Sequence, residues 1–375
     1  MCSLLCQAII HAARGRKQIV LACASSGIAA TNLPGAGTAH SIFKIPVTNL
    51  NKDSTLGISY QSGRADLMRL VDLMLWDEVS MAHRNAIEAV DRTLRFLRGI
   101  DLPFGGVRVV VMGDYWQIPP VVKNGNRAKI MRATMLMSPL WRHFDTVELK
   151  VNMRVQLALR ELGAARAAEL KNWDDYLMRI ANGTEPTIGN DLTQIPKELL
   201  LPRLSNGDRA GVRELIQYTY GSHPPHLPEE PGSSSTPTDR EIYVERVRAS
   251  SKFYSARAIL TGTNKDVTRL NDTVMDTLSG EQQCFLSADS VEQDESDRAV
   301  YTTEFLNTLE FSGTPPHALK LKLGSVCMLL RNLSSRNGLC NGTRILITKM
   351  GPRVISGVIL TGPLVYQLVL YYVTN

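Results

Sequence analysis

LMLWDEVSM, residues 73–81, is a run of large apolar residues that delivers two adjacent carboxylates, Asp77 and Glu78. A short, unbroken apolar run reads as a strand buried on both faces, the pattern of a parallel sheet covered by helices. Ligands bind outside the carboxyl ends of such strands. Successive strand side chains point in different directions, so one carboxylate can hold a magnesium-bound water while its neighbour polarises an attacking water. An acidic pair also closes many ordinary strands, so the neighbouring sequence has to decide.

On either side the chain alternates similar apolar runs with loop and helix patterns: QIVLACA (18–24), VRVVVMGD (107–114) and DTVELKV (145–151). This predicts an α/β fold built on a mostly parallel sheet. One core rarely serves more than ~250–300 residues, so a chain of 375 residues is expected to form two domains. Residues 156–204 are helical in pattern, with LALRELGAARAAELKNWDDYLMRIANG ending at an Asn-Gly stop. Residues 205–240, centred on HPPHLPEEPGSSSTPTD, read as a flexible linker or insertion. A second ordered region follows over 241–375: ARAILTGTN is expected as strand then turn, and LKLGSVCMLLRNL and TRILITKM as short strands divided by SSRNGLCNG.

Lys plus Arg total 42 against 36 Asp plus Glu, a formal charge of +6, which leans toward a polyanionic partner but is common among globular proteins. Six cysteines without a C-x-x-C pair read as reduced core thiols. Cys2, Cys6 and His11 could approach one another on a helix, but nothing completes a four-ligand zinc site. The N-terminus lacks a cleavage signature, which points to an intracellular protein. Residues 354–375 are uncharged over a bilayer's worth of chain, yet their glycines, Pro363, Gln367 and β-branched residues predict strands rather than a membrane span.

Three further stretches carry chemistry. VVVMGDYWQIPPV (109–121) ends a buried strand in Gly113-Asp114, then sets Gln117 ahead of Pro119-Pro120. A glutamine there can reach a γ-phosphate or its attacking water, and the prolines stiffen its loop. VELKVNMRV places Arg154 beyond the next apolar run, suited to a developing phosphoryl charge or to a plain surface ion pair. Upstream, CASSGIAATNLPGAGTAHSIFKIP (23–46) combines small residues and hydroxyls with His40, Phe43 and Lys44. Backbone amides and hydroxyls suit phosphates, while His and Phe can stack on bases. A helix-capping turn would account for the serines and glycines alone.

The series ASSGIAA, GTAHSIF, DEVSM, GDYWQIPPV and NMR, then LTGTN, FLNTLEFSGTPPHALKLKLGSVCMLLRNL and GLCNGTR, resembles the PIF (petite integration frequency) DNA helicases, nearest the Helitron-helicase branch. The resemblance covers most of the chain outside the linker. It implies P-loop NTPase, RecA-like motor domains: a first over 1–155, a helical connector over 156–204, and a partial second over 241–375 with an SH3-like insertion around 320–360. It implies ATP and magnesium as cofactors, with Asp77 as the magnesium-site acid, Glu78 as general base, Gln117 as γ-phosphate sensor and Arg154 as arginine finger. Ser26, Gly27, Thr38, His40 and Ser41 match motifs that contact single-stranded DNA, as do Thr263 and Asn264 of the second motor domain. The family unwinds duplex and folded DNA 5′ to 3′, in repair, recombination and telomere maintenance. The nucleus is the implied residence, with the mitochondrion as alternative, and no membrane partner.

The sequence departs from the family pattern at several points. No G-x-x-x-x-G-K-[ST] occurs among the 375 residues, so the amides and lysine that grip the phosphates are not supplied. Ser3 to Ala13 match the helix that follows that loop. The closing T-x-x-K-S-Q-G motif and its second arginine do not occur either, and truncation at both ends is expected. Trp116 stands where the family usually has arginine, and Gly262 where it usually has proline. Two other readings stay open: a non-enzymatic single-stranded-DNA-binding remnant of a Helitron-type helicase, and a P-loop ATPase that is not a helicase.

Overall fold

The computed structural model describes residues 2–47, 49–161, 163–189, 192–201, 210–221, 225, 227–232, 234–288, 307, 315–334, 337–352, 354–362 and 364–372. For residues 2, 3, 154, 161, 210 and 370–372 it describes the backbone alone. The chain divides into two compact units, Met1–Pro196 and Lys197–Asn375.

The first unit begins with α1 (Cys2–Gly15), β1 (Val20–Ala24), α2 (Gly27–Thr31), β2 (Gly37–Thr38), α3 (Ala39–Phe43), α4 (Gly63–Leu70), β3 (Leu73–Asp77), α5 (Arg84–Arg98) and β4 (Arg108–Val111). All four strands run parallel in the order β2-β1-β3-β4. The period-2 alternation of β3 divides its side chains between two cores. Met74 and Trp76 join Phe43, Met68 and the α5 residues Ile87, Val90 and Leu94 on one face, while Leu75 meets Cys6 and Ile10 of α1 on the other. Every β3 residue is therefore buried, as the unbroken apolar run predicts.

Helix α5 places Ala86, Ile87, Val90, Leu94 and Leu97 on one stripe, and Gly99, at φ 65°, ends it in the left-handed conformation that glycine adopts without strain. Its buried Asp91 accepts hydrogen bonds from the Phe104 N–H and from Arg95, tying the helix to the loop that leads into β4. The unit continues through α6 (Arg127–Ala133), α7 (Met153–Glu161) and α8 (Ala164–Ala181) to a two-stranded ladder of β5 (Thr187–Ile188) and β6 (Leu192–Thr193). DTVELKV, expected as a strand, forms none: Val147 is 83% exposed, Leu149 48% and Val151 53%. Its apolar alternation finds no sheet edge to pair with, and a lone extended segment is not stable as a strand.

The second unit contains α9 (Ala210–Tyr220), α10 (Pro237–Ser255), α11 (Asn264–Thr277), an antiparallel pair of β7 (Gln283–Leu286) and β8 (Ala318–Leu321), and then β9 (Val326–Met328), β10 (Arg344–Met350), β11 (Val354–Ile359) and β12 (Leu368–Tyr372). The last four form an antiparallel sheet in the order β12-β11-β10-β9. Residues 354–375 thus contribute strands, as expected, and no described helix is long and apolar enough to cross a membrane. Helix α10 packs on this sheet: Leu227, Tyr254, Leu346 and Leu360 share a core, and the Arg344 guanidinium donates to the carbonyls of Tyr254 and Arg257 at 3.0 and 2.9 Å, closing the helix's C-terminus.

Two further expectations are corrected in this unit. The stretch read as a linker holds α9, because Ile216 is buried and Tyr220 stacks near Tyr254 at 6.1 Å. ARAILTGTN forms no strand, and its Leu260 is 91% exposed. Of the cysteines, Cys6, Cys23 and Cys340 are buried, whereas Cys284 is exposed, on the β7 hairpin rather than in a core.

Candidate phosphate and nucleic-acid site

The register of the parallel sheet brings three strand ends level: Ala24 lies beside Asp77, and Trp76 beside Val111. The chain beyond each strand end is hydrogen-bonded to its neighbour. The Ser25 N–H donates to the Asp77 carbonyl at 3.0 Å, the Met112 N–H to the Trp76 carbonyl at 2.9 Å, and the Val79 N–H to the Met112 carbonyl at 2.8 Å. The Trp76 indole N–H donates to the Ser25 hydroxyl at 3.0 Å, so the first turn is anchored by a side chain of the central strand.

At the end of β3 the backbone turns sharply. Glu78 sits at φ 55°, a left-handed conformation uncommon for a residue with a side chain, and such strain gathers where a site over-determines it. Asp77 is 4% exposed, and its Oδ1 accepts the Glu78 N–H at 2.9 Å. Burial pushes the Asp77 carboxyl above its ordinary range, with that N–H pulling the other way. Burial also raises Glu78, and the charges of Asp77 and then Asp114 raise it further. Glu78 Oε2 is enclosed without a hydrogen-bond partner.

Gln117 comes to this edge through Asp114. The Asp114 carboxylate accepts the Gln117 Nε2–H at 2.9 Å on one oxygen and the Trp116 N–H at 3.0 Å on the other, and its carbonyl accepts the Gln117 N–H at 3.2 Å. Asp114 was not singled out from the sequence. The signal was there, since an aspartate two residues before a free N–H at a strand exit is the pattern of an Asx turn. Ser80 was missed as well: it is 1% exposed, its hydroxyl has no partner, and it fills the space above Gly113. Nothing local in the sequence marks that contact.

The residues expected to meet single-stranded DNA lie at helix starts. Ser26 Oγ accepts the Ala29 N–H and caps α2, whose first residue, Gly27, is buried. Thr38 Oγ1 accepts the Ser41 N–H and caps α3, leaving His40 and Ser41 exposed on its outer side. Partial desolvation of the ring lowers the His40 pKa from its ordinary value. Arg64 donates to the Ser41 carbonyl at 2.7 Å. In the second unit Thr263 caps α11 by accepting the Asp266 N–H, and Asn264 opens the helix; both are exposed. Arg154 lies in the first turn of α7, and its side chain lies outside the described residues. Among the described residues no three His, Cys, Asp or Glu side chains are grouped to hold a metal directly.

The family described as PIF1-like helicase matches residues 2–191, just over half of the chain, and the DNA helicase Pif1 2B domain matches residues 304–350. The chain is 36% identical to the ATP-dependent DNA helicase Pif1 of Psychrobacter sp. over 135 residues, 35% of this chain and 20% of that protein. It is 28% identical to the Pif1 of Bdellovibrio bacteriovorus over 199 residues, 52% of this chain and 43% of the relative. The matched segments thus span less than half of these relatives. Among solved structures, Pif1 helicase from Candida albicans matches 99% of this chain and 72% of its own at a TM-score of 0.55 and 18% identity. Bacteroides Pif1 bound to ssDNA matches 96% of this chain and 66% of its own at a TM-score of 0.54 and 19% identity. On the match over residues 2–191, the chain belongs to the PIF1-like helicase family.

Proposed function

We propose that this chain is part of the motor of an ATP-dependent DNA helicase, which couples ATP hydrolysis to 5′-to-3′ movement along a single strand and opens duplex or folded DNA. The observation that carries the reading is the interlock of two strand ends: Asp77-Glu78 beyond β3 and Asp114-Gln117 beyond β4, joined by the Val79–Met112 hydrogen bond. Family membership and the names of the relatives, ATP-dependent DNA helicases, support it.

The donor atoms fit a hydrated magnesium ion. Asp77 Oδ1 is committed to the Glu78 N–H, its Oδ2 has no protein partner among the described residues, and Glu78 Oε2 is enclosed and unpartnered. Asp77 would hold the ion through a bound water, and the ion would neutralise charge on the phosphate oxygens. Glu78, raised by burial and by its acidic neighbours, would take the proton of the attacking water at its carboxylate. Gln117, steadied by Asp114, would orient that water or the γ-phosphate, and Arg154 would meet the developing charge. Ser26, Gly27, Thr38, His40 and Ser41 would line the strand path in the first motor domain, and Thr263 and Asn264 in the second. We assign 1–155 to the first motor domain, 156–204 to the connector and 241–375 to part of the second, with an SH3-like insertion around 320–360. Work in DNA repair, recombination and telomere maintenance, in the nucleus or mitochondrion, follows from the same reading.

The 375 residues hold no G-x-x-x-x-G-K-[ST], a feature that a single-stranded-DNA-binding remnant without turnover and a piece of a longer motor would share. Losing one preorganised donor to a developing oxyanion costs about 3–4 kcal/mol, or ~10²–10³ in rate. With a whole set unsupplied, this polypeptide by itself should turn over negligible ATP. The test measures single-stranded DNA binding and single-turnover hydrolysis by this polypeptide and by one extended upstream in the reading frame. Salt-sensitive strand binding by both, with hydrolysis only in the extended form and lost in Glu78→Gln, is the expected result. Strand binding without hydrolysis in either form favours the remnant, and absence of strand binding in both rejects the helicase reading.

A further inference from the structure

The loop that carries Gln117 also carries an aromatic side chain that the proposed hydrolysis leaves unused. Trp116 is 55% exposed, although tryptophan is among the side chains with most to gain from burial. Its backbone is not free to move. Asp114 holds the Trp116 N–H at 3.0 Å and the Gln117 amide at 2.9 Å, so one carboxylate fixes both residues. On one side Tyr115 packs edge-on against Trp141 at 6.2 Å, and on the other Pro119 and Pro120 lock the backbone. The loop is braced from both directions, and the indole is among its solvent-facing side chains, with Tyr115 at 39% and Ile118 at 61%.

An exposed indole on a fixed backbone offers a flat apolar surface at little entropic cost, the chemistry by which proteins take up nucleobases, since every base has a π-face. Two sources of base are available on the proposed reading: the adenine of ATP and the bases of the strand. Position separates them. Adjacent residues stand ~3.8 Å apart along the chain, and adenine lies at the far end of the triphosphate from the γ-phosphate that Gln117 would read. A base that meets Trp116 while Gln117 is engaged therefore belongs to the strand.

We propose that Trp116 stacks on a base of single-stranded nucleic acid and so joins strand contact to the loop that reads the γ-phosphate. The assignment rests on the helicase reading of the same site. It gives that loop a sequence-tolerant grip, where an arginine at this position would offer charge to the backbone instead.

The test uses the 375-residue polypeptide, tryptophan emission and three probes: an oligothymidylate, an abasic strand of equal length, and ADP. The oligothymidylate should quench the wild-type emission, and the abasic strand and ADP should not. Trp116→Ala should bind oligothymidylate roughly tenfold more weakly, with affinity for the abasic strand unchanged. Trp116→Phe should restore the affinity while losing the quench, and the thermal midpoints of both variants should match wild type, because the side chain is exposed. Equal oligothymidylate affinity in wild type and Trp116→Ala overturns the proposal and leaves the helicase reading standing. Quenching by ADP in place of the strand overturns it in favour of adenine, and equal weakening toward the abasic strand overturns it in favour of a backbone contact. Failure of the wild type to bind any strand removes both the proposal and the reading beneath it.

Discussion

Replacing Gly113 by alanine would put a methyl group 2.8 Å from the Ser80 backbone nitrogen and 2.9 Å from its hydroxyl oxygen, closer than real side-chain carbons approach. The hydroxyl could rotate away, but the nitrogen could not. Ser80 follows Val79, whose N–H holds the Met112 carbonyl at 2.8 Å, and Met112 is itself held to Trp76 at 2.9 Å, a residue with no exposed surface. The two strand ends therefore have to part. Overpacking of this kind costs about 1–3 kcal/mol. The reduced freedom of the unfolded alanine chain returns roughly 0.4–1 kcal/mol of that. A net loss of about 1–2 kcal/mol remains, and at roughly 2–4 °C per kcal/mol for a unit of this size the thermal midpoint should fall by ~2–8 °C. Circular dichroism melts of wild type and Gly113→Ala check this, and Ser80→Gly in the variant should relieve it only in part, because the backbone nitrogen stays. An unchanged or raised midpoint for Gly113→Ala would refute the interlock of the two turns.

Two other outcomes follow from the packing. Asp91→Ala leaves the buried Phe104 N–H unpaired and Arg95 with Asp101 alone, at 2.8 Å, so urea unfolding should show a loss of about 2–4 kcal/mol; a midpoint equal to wild type would count against that anchor. In the second unit, burial pushes the Cys327 thiol from 9.0 up to about 11, and burial, then charge repulsion from the Tyr220 hydroxyl as it ionises, pushes the Tyr254 hydroxyl from 10.0 up to about 12. Both groups hold their protons more tightly folded than unfolded, so the stability tied to them is complete below pH 9 and is lost as pH rises through 11 and 12. Urea midpoints should stay level from about pH 7.5 to 8.5 and fall above pH 9, less steeply in Cys327→Ala; a midpoint that climbs above pH 9 contradicts the sign.

The family and the parallel strands were legible in the sequence because each is written locally. An unbroken apolar run that ends in Asp77-Glu78, and another that ends in Gly113-Asp114, mark buried parallel strands, and the motifs around them carry the family resemblance. The helix-capping turn at Ser26 is equally local, since its hydroxyl serves an N–H only three residues away. Strands need partners, and the sequence does not say where a sheet stops. DTVELKV and ARAILTGTN have strand-like composition, but no ladder receives them, and their apolar side chains stay in solvent. AGVRELIQYTY was hidden by the Gly, Ser and Pro around it, and becomes a helix in which Ile216 is buried and Tyr220 packs on the core of Tyr254, Leu346 and Leu360. Only the tertiary structure could bring the Asp114 turn beside Glu78, or lay Ser80 against Gly113. Those contacts join segments more than thirty residues apart, and they depend on a close approach of two backbones that no side-chain pattern encodes.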